Sequence, residues 1–241
     1  MNLLPRPLHR LTGRADTWLL GVFLVVAIVL FGFIKLASEV AEGETATFDR
    51  WLLQALRSPA DPSVPIGPEW LRHAMVDITA LGGVSVLTLL TVVAVGYLVA
   101  ARKAATGAFL AGAVIGGALT GTLLKLLFAR ARPDLVAHLV VVDSASFPSG
   151  HALNSAVTYL TIGALLARAE SKRSVRLYLI GVAVMLTLII GASRVYLGVH
   201  WPSDVLAGWS VGAAWAVLVS LVARTLQRRR TIEREPPPEA D

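Results

Sequence analysis

The chain has 241 residues, 55% of them hydrophobic and 16% charged, with a formal net charge of +6 and no cysteine. So apolar a composition excludes an ordinary soluble domain, and the lack of cysteine excludes disulfides even where loops face outward. The basic residues collect in loops between apolar runs, a pattern that asks for no nucleic-acid partner.

Arg6, Arg10 and Arg14 precede a first apolar run over 17–34. This resembles a signal sequence, and LASEVA just beyond resembles a cleavage site. Removal would leave five spans and upset the charge balance across the membrane, so we read an uncleaved anchor. Between this run and the next, Phe48, Trp51, Leu52, Ala55 and Leu56 recur at helical spacing, with Asp49, Arg50, Gln54 and Arg57 opposite. That spacing predicts a short amphipathic helix lying in the membrane interface.

Five further uncharged runs cover 78–101, 104–124, 152–167, 177–193 and 205–223. Each approaches the ~20 residues that cross a hydrocarbon core of ~30 Å as a helix. The expected fold is therefore all-α, a polytopic membrane protein with six transmembrane helices in a bundle. The third run carries Gly112, Gly116, Gly117 and Gly121. Glycines so spaced let helices approach closely, and we read them as packing within the monomer rather than as a dimer seam.

One membrane domain spans 17–224. It lies between an amino-terminal segment, 1–16, and a tail, 225–241, that is first basic and then Pro-rich and reads as disordered. Basic residues dominate the segments before the first run, between the second and third, between the fourth and fifth, and after the sixth. The positive-inside rule then places both termini in the cytoplasm of a cell inner (plasma) membrane.

The opposite surface, facing the periplasm or cell exterior, receives three polar clusters: KLLFARARP at 125–133, PSGH at 148–151 and SRVYLGVHWPSD at 193–204. Lys125 and Arg132 lie seven residues apart, so a helix continuing for two turns would aim both at one point before Pro133 ends it at about Arg132. Arg130 falls off that face and reads as a surface charge. Ser149 suits a helix N-cap and Gly150 opens the helix start, where free N–H groups bind phosphate. Pro202 suits a first helical position, leaving Asp204 in the first turn and His200 just before it, so the carboxylate can fix the histidine tautomer.

Jointly, Lys125, Arg132, Arg194 and a helix start make a site for a highly charged oxyanion. Two histidines supply what phosphoryl transfer needs, one to attack phosphorus and one to protonate the leaving oxygen. His151, His200 and Asp204 are also a plausible metal-ligand set, but the three cations would repel a divalent ion, so neither metal nor cofactor is expected.

The three clusters fit K-x6-R-P, PSGH and S-R-x5-H-x3-D, with 14 residues between Pro133 and Pro148 and 41 between His151 and Ser193. In this the chain resembles the type 2 phosphatidic acid phosphatase superfamily. The resemblance implies a metal-independent phosphatase in which His200 is the nucleophile and forms a phosphohistidine, Asp204 orients it, and His151 is the general acid. Lys125, Arg132, Ser149, Gly150 and Arg194 would bind the phosphate. The implied partner is a phosphorylated lipid in the bilayer. Undecaprenyl diphosphate ranks first because the site is expected to face outward, with phosphatidylglycerophosphate, phosphatidate and lipid A as alternatives. The same constellation serves vanadium haloperoxidases, which are soluble, and a transporter of lipids or ions is the reading from a different class. The sequence sets no oligomeric state.

Overall fold

Long apolar runs without charges become helices because only a helix satisfies every backbone N–H and C=O inside its own segment. The computed structural model describes residues 14–228 and 232. Among them the chain forms helices α1 (Arg14–Glu42), α2 (Ala46–Ala55), α3 (Glu69–Ala80), α4 (Val84–Ala100), α5 (Ala104–Phe128), α6 (Gly150–Ala169), α7 (Arg173–Tyr196) and α8 (Pro202–Arg228). A small antiparallel ladder, β1 (Arg57–Ser58) against β2 (Asp61–Pro65), follows α2. Most of the expected terminal segments, 1–13 and 229–241 except 232, lies outside the described residues, while 225–228 continue α8.

Among the described residues, four helices are long and apolar enough to cross a membrane: Phe23–Glu42 within α1, then α5, α7 and Pro202–Gln227 within α8. The pair α3 and α4 meets the same standard only jointly, bent by 48°. The protein is thus a helical, multi-pass membrane protein, but the expected count of six is not reached on length and composition. The shortfall is α6, whose polar Ser155, Thr158 and Thr161 are buried together with Ala152, Leu153, Ala156 and Val157. A helix surrounded by other helices need not be as apolar as one facing lipid.

The second expected span is broken at 81–83, in the sequence Leu-Gly-Gly. There a Cβ on Gly82 would come within 3.3 Å of the His151 ring and also strike Ile190. The break lets backbone reach the site where a side chain would not fit.

One short-range expectation is corrected. The helix through Lys125 does not run on to Arg132. It ends at Phe128, and Ala129 turns left-handed (φ 44°, ψ 30°), so 129–149 is an irregular loop. The predicted amphipathic helix forms as α2, with Arg50 and Gln54 of its polar side exposed. Asp49 and Arg57 are buried, while Phe48 and Trp51 are 44% and 62% exposed. Leu53, outside the predicted apolar stripe, is the residue that packs inward, against Val136, Ala152, Val195 and Val205.

Around α6 the contacts are close because small residues line them. On α5, a Cβ on Gly117 would meet Val157 at 2.7 Å, and one on Gly116 would meet Trp215 of α8 at 2.8 Å. Gly121 faces Leu153, and Gly112 has nothing within 4 Å. Three of the four glycines therefore pack against α6 or α8 of the same chain. On α8, a Cβ on Gly212 would come within 2.5 Å of Ala156 Cβ and 2.7 Å of the Leu153 carbonyl. Indole N–H groups tie the helices across: Trp215 donates to the Ala113 carbonyl at 2.9 Å and Trp209 to that of Thr187 at 3.0 Å.

Candidate active site

The α7–α8 joint is tight. Gly198 takes φ +77°, and a Cβ there would meet Arg57 Nη2 at 2.6 Å and the Ala137 carbonyl at 2.8 Å. Both the torsion and the space require glycine. Two residues later His200 is carried into the interior, 1% exposed, and Pro202 opens α8 so that Asp204, fully buried, falls in its first turn.

The Asp204 carboxylate is held at both oxygens. Its Oδ2 accepts from the Trp201 N–H at 2.9 Å and from the Ser146 hydroxyl, and lies 3.3 Å from His200 Nδ1. Its Oδ1 accepts from Arg130 Nη1 at 2.6 Å. On the far side of the ring, Arg132 Nη1 lies 3.2 Å from His200 Nε2. A guanidinium can only donate, so Nε2 must accept and Nδ1 carries the proton toward Asp204. The imidazole is neutral, with its Nε2 lone pair aimed at a cation. Burial, opposed by the hydrogen bond and charge of Asp204 and reinforced by Arg132 and Arg194, pushes the pKa of His200 down to about 4.

The other expected residues gather here. Lys125 donates to the Ala145 carbonyl and approaches Ser144 Oγ at 3.5 Å. Arg132 donates to the Ser144 carbonyl at 2.7 Å, to the Val199 carbonyl at 2.6 Å and to Ser144 Oγ at 3.3 Å. Lys125 and Arg132 thus converge through the 129–149 loop rather than along one helix face. Arg194 is buried, and its Nη1 donates to Thr79 Oγ1 at 3.0 Å while its Nε has no partner among the described residues. Ser149 caps α6, accepting from the Ala152 N–H at 3.5 Å, and its own N–H donates to the Asp204 carbonyl at 2.9 Å. That bond ties the start of α6 to α8. A Cβ on Gly150 would lie 3.4 Å from Lys125 Cε. His151 lies within electrostatic reach of Arg194, His200, Arg132 and Lys125.

All eight expected residues therefore share one neighbourhood at the end of the bundle where α6 and α8 start and α5 and α7 finish. Among the described residues, no group of three or more His, Asp or Glu is placed to hold a metal ion.

The sequence reading missed several members. Arg130 is no surface charge: it bridges Asp204 and Asp49, whose Oδ2 lies 2.8 Å from Arg130 Nη2, and it stacks 5.6 Å from the Trp201 ring. Asp49, Ser146, Ser203 and Thr79 were missed as well. Their only signal was an acidic residue near an apolar stripe, a loop serine and two helical hydroxyls, and none of these says which partner will face it.

Residues 105–228 match the sequence model of the PAP2 superfamily. Phosphatidylglycerophosphatase B of Bacillus subtilis is 34% identical over 208 residues, 85% of this chain and 97% of that one. An undecaprenyl-diphosphatase of Sulfolobus acidocaldarius is 37% identical over 76 residues, 32% of each chain. Among solved structures, a transmembrane PAP2 type phosphatidylglycerolphosphate phosphatase from Bacillus subtilis superposes with a TM-score of 0.76 at 31% identity, covering 84% of this chain and 98% of that one. A fold shared at that level, a matched family model and a match over nearly the whole of a named phosphatase agree: the chain belongs to the PAP2 superfamily of phosphatases.

Proposed function

We propose that this protein hydrolyses the phosphate of a membrane lipid through a phosphohistidine intermediate. The observation that carries the proposal is the neutral imidazole of His200, its Nε2 lone pair held beside Arg132 by the Nδ1 contact to Asp204. In this reading a phosphoryl group lies among Lys125, Arg132, Arg194, Ser149 and the N–H groups at the Gly150 helix start. His200 Nε2 attacks phosphorus, forming the N–P bond as the P–O bond to the lipid breaks. His151, entering as the imidazolium, gives its proton to the leaving oxygen and becomes neutral, and Asp204 steadies the imidazolium-like ring of His200. Water then attacks the phosphohistidine with His151 as base, releasing phosphate and restoring both histidines. Preorganised cations in a site shielded from water stabilise the charge on the equatorial oxygens at every stage. No metal is required.

The bilayer carries the lipid tail, and the substrate enters sideways between helices. We place α6 and the α3–α4 pair as the remaining membrane crossings, making six, with both termini in the cytoplasm and the site facing outward. For the headgroup, the relative matched over 97% of its length carries the name phosphatidylglycerophosphatase, whereas the undecaprenyl-diphosphatase is matched over 32% of its own. This favours phosphatidylglycerophosphate over the undecaprenyl diphosphate that outward orientation alone suggested.

The test is phosphate release by purified protein, with chelator present, from phosphatidylglycerophosphate, undecaprenyl diphosphate, phosphatidate and lipid A. His200→Ala is assayed in parallel. We expect phosphatidylglycerophosphate to give the highest kcat/KM and the variant to be inactive on all four. Near-normal turnover by His200→Ala overturns the nucleophile, and release that requires an added divalent metal overturns the metal-free chemistry.

A further inference from the structure

We propose that Asp49, on helix α2 and outside all three motifs, is a positioning residue that acts through Arg130 and Ser203 to hold the Asp204 carboxylate against His200. This rests on the nucleophile reading above.

Asp49 is 1% exposed on a helix whose Phe48 and Trp51 face outward. A buried carboxylate is costly unless paired and hydrogen-bonded, so its partners are the reason for its place. Its Oδ1 accepts from the Ser203 backbone N–H at 2.9 Å, and its Oδ2 from the Ser203 hydroxyl at 2.6 Å and from Arg130 Nη2 at 2.8 Å. Ser203 is the second residue of α8, so its N–H is one of the donors that a helix start leaves without an intrahelical acceptor. Asp49 caps α8 from another helix, 154 residues away in sequence.

Arg130 carries the effect onward. One Nη holds Asp49, and the other holds both Asp204 Oδ1 at 2.6 Å and Ser203 Oγ at 2.8 Å. Fixing Oδ1 stops rotation of the carboxylate and leaves Oδ2 for His200, Ser146 and the Trp201 N–H. Outward from the neutral imidazole the charges therefore alternate along a line: Asp204, Arg130, Asp49. Removing Asp49 turns the whole of Arg130 onto Asp204 and weakens its support for a proton on His200. Removing Arg130 does the opposite. The other ionisable groups around His200 are Lys125 from α5, Arg132 from the loop, His151 from α6 and Arg194 from α7, and neither change touches them.

The experiment measures kcat, KM and the pH profile of kcat/KM for Asp49→Asn and Arg130→Gln in detergent, alongside thermal unfolding, on whichever lipid phosphate the wild type turns over fastest. Misplacing a reacting group by about 1 Å can cost about 100-fold. We expect kcat to fall by about 10- to 100-fold in both variants with KM within about threefold, since the phosphate-binding cations are unchanged. The acid limb is expected to move to lower pH in Asp49→Asn and to higher pH in Arg130→Gln.

Wild-type kcat in Asp49→Asn overturns the proposal, and so do acid limbs that move together or not at all. Should either single variant fail to fold, the paired Asp49→Leu, Arg130→Met replacement removes the buried ion pair without stranding a charge. A folded double variant with wild-type kcat shows a structural clamp only and overturns the proposal; a folded one with kcat reduced to the same degree supports it. Activity in a parallel His200→Ala sample marks failure of the nucleophile reading instead.

Discussion

Helices α4 and α8 are both rich in aliphatic residues, and the two meet opposite surroundings. On α4, Leu89, Val92, Val93 and Tyr97 are each at least 60% exposed, and a Cβ on Gly96 would find nothing within 4 Å. On α8, Val205, Ala207, Ala214 and Ala223 are buried, and Gly208 and Gly212 touch the backbone of α6. The exposed side chains of α4 suit a hydrocarbon surround, where bulk is tolerated. Those of α8 fill a protein interior, where every added atom displaces another. Polar chemistry follows the same division. His151, Arg194, His200 and Asp204 stand on α6, the end of α7, the joint and α8, and among the described residues none of the expected site residues stands on α1 or α4.

After the complete loss expected of His200→Ala, the largest effect should come from breaking the inner set at Arg194. Its side chain is buried at the end of α7, anchored by Thr79, with Nε left without a protein partner. In the proposed reaction that Nε–H is free to donate to the substrate's phosphate. Arg194→Gln keeps a hydrogen bond to Thr79 within reach and removes the charge. Kinetics should show kcat/KM reduced by roughly 10²- to 10³-fold, the range seen when one preorganised oxyanion donor is lost. A reduction below about threefold would place Arg194 in a purely structural role.

Next comes packing between α8 and α6. Gly212→Val puts a branched side chain where even a Cβ would lie 2.5 Å from Ala156 Cβ and 2.7 Å from the Leu153 carbonyl. Backbone cannot give way as a flexible side chain can. Overpacking of this kind costs about 1–3 kcal/mol and sometimes more. Thermal unfolding in detergent should show a clearly lowered midpoint, and an unchanged one would mean that α8 and α6 are less tightly joined than described.

The division also explains what could be read from sequence. Hydropathy found α1, α5, α7 and α8 because lipid demands apolar surface of them. It placed α6 as well, but α6 is surrounded by protein and its buried Ser155, Thr158 and Thr161 lower its apolar character. The convergence of the eight candidate residues was legible because their spacing in three short motifs is specific, even though the inferred continuous helix from Lys125 to Arg132 was mistaken. Ala129 turns left-handed with no glycine there to announce it. Arg130 and Asp49 were illegible because their roles depend on one another across 81 residues, and each alone looks like a surface charge. The burial of Asp49 on the polar side of α2 has the same cause: it pairs with Arg130, while Phe48 and Trp51 stay exposed, which a membrane interface tolerates.

A smaller effect concerns pH. In the proposed reaction His200 attacks unprotonated, and burial brings its pKa to about 4, against an ordinary 6.5. A depressed histidine pKa leaves the working form populated down to that lower value, and loss begins only as the pH falls through it. At pH 5 the wild type should therefore keep nearly all of its kcat/KM as set by this group, where an ordinary histidine would leave about a thirtieth. The same shift makes the folded state refuse a proton that the unfolded chain accepts between about pH 6.5 and 4. Stability therefore declines with falling pH across that window, and the rates must be taken well below the unfolding midpoint. An acid limb centred near pH 6.5 would mean that His200 is better solvated, or more strongly supported by Asp204, than its burial indicates.

The smallest effect belongs to the outer helix and is the counterpart of Gly212→Val. Gly96 lies in the interior of α4, and a Cβ there meets nothing within 4 Å. Alanine at a helix-interior glycine removes a backbone-entropy penalty of up to about 1 kcal/mol and here displaces no neighbour. Gly96→Ala should leave kcat/KM unchanged and the unfolding midpoint level or slightly raised. A lowered midpoint would show that α4 packs on something, a second copy of the chain or a firmly bound lipid, and the contrast between α4 and α8 would then concern what covers each helix rather than whether it is covered.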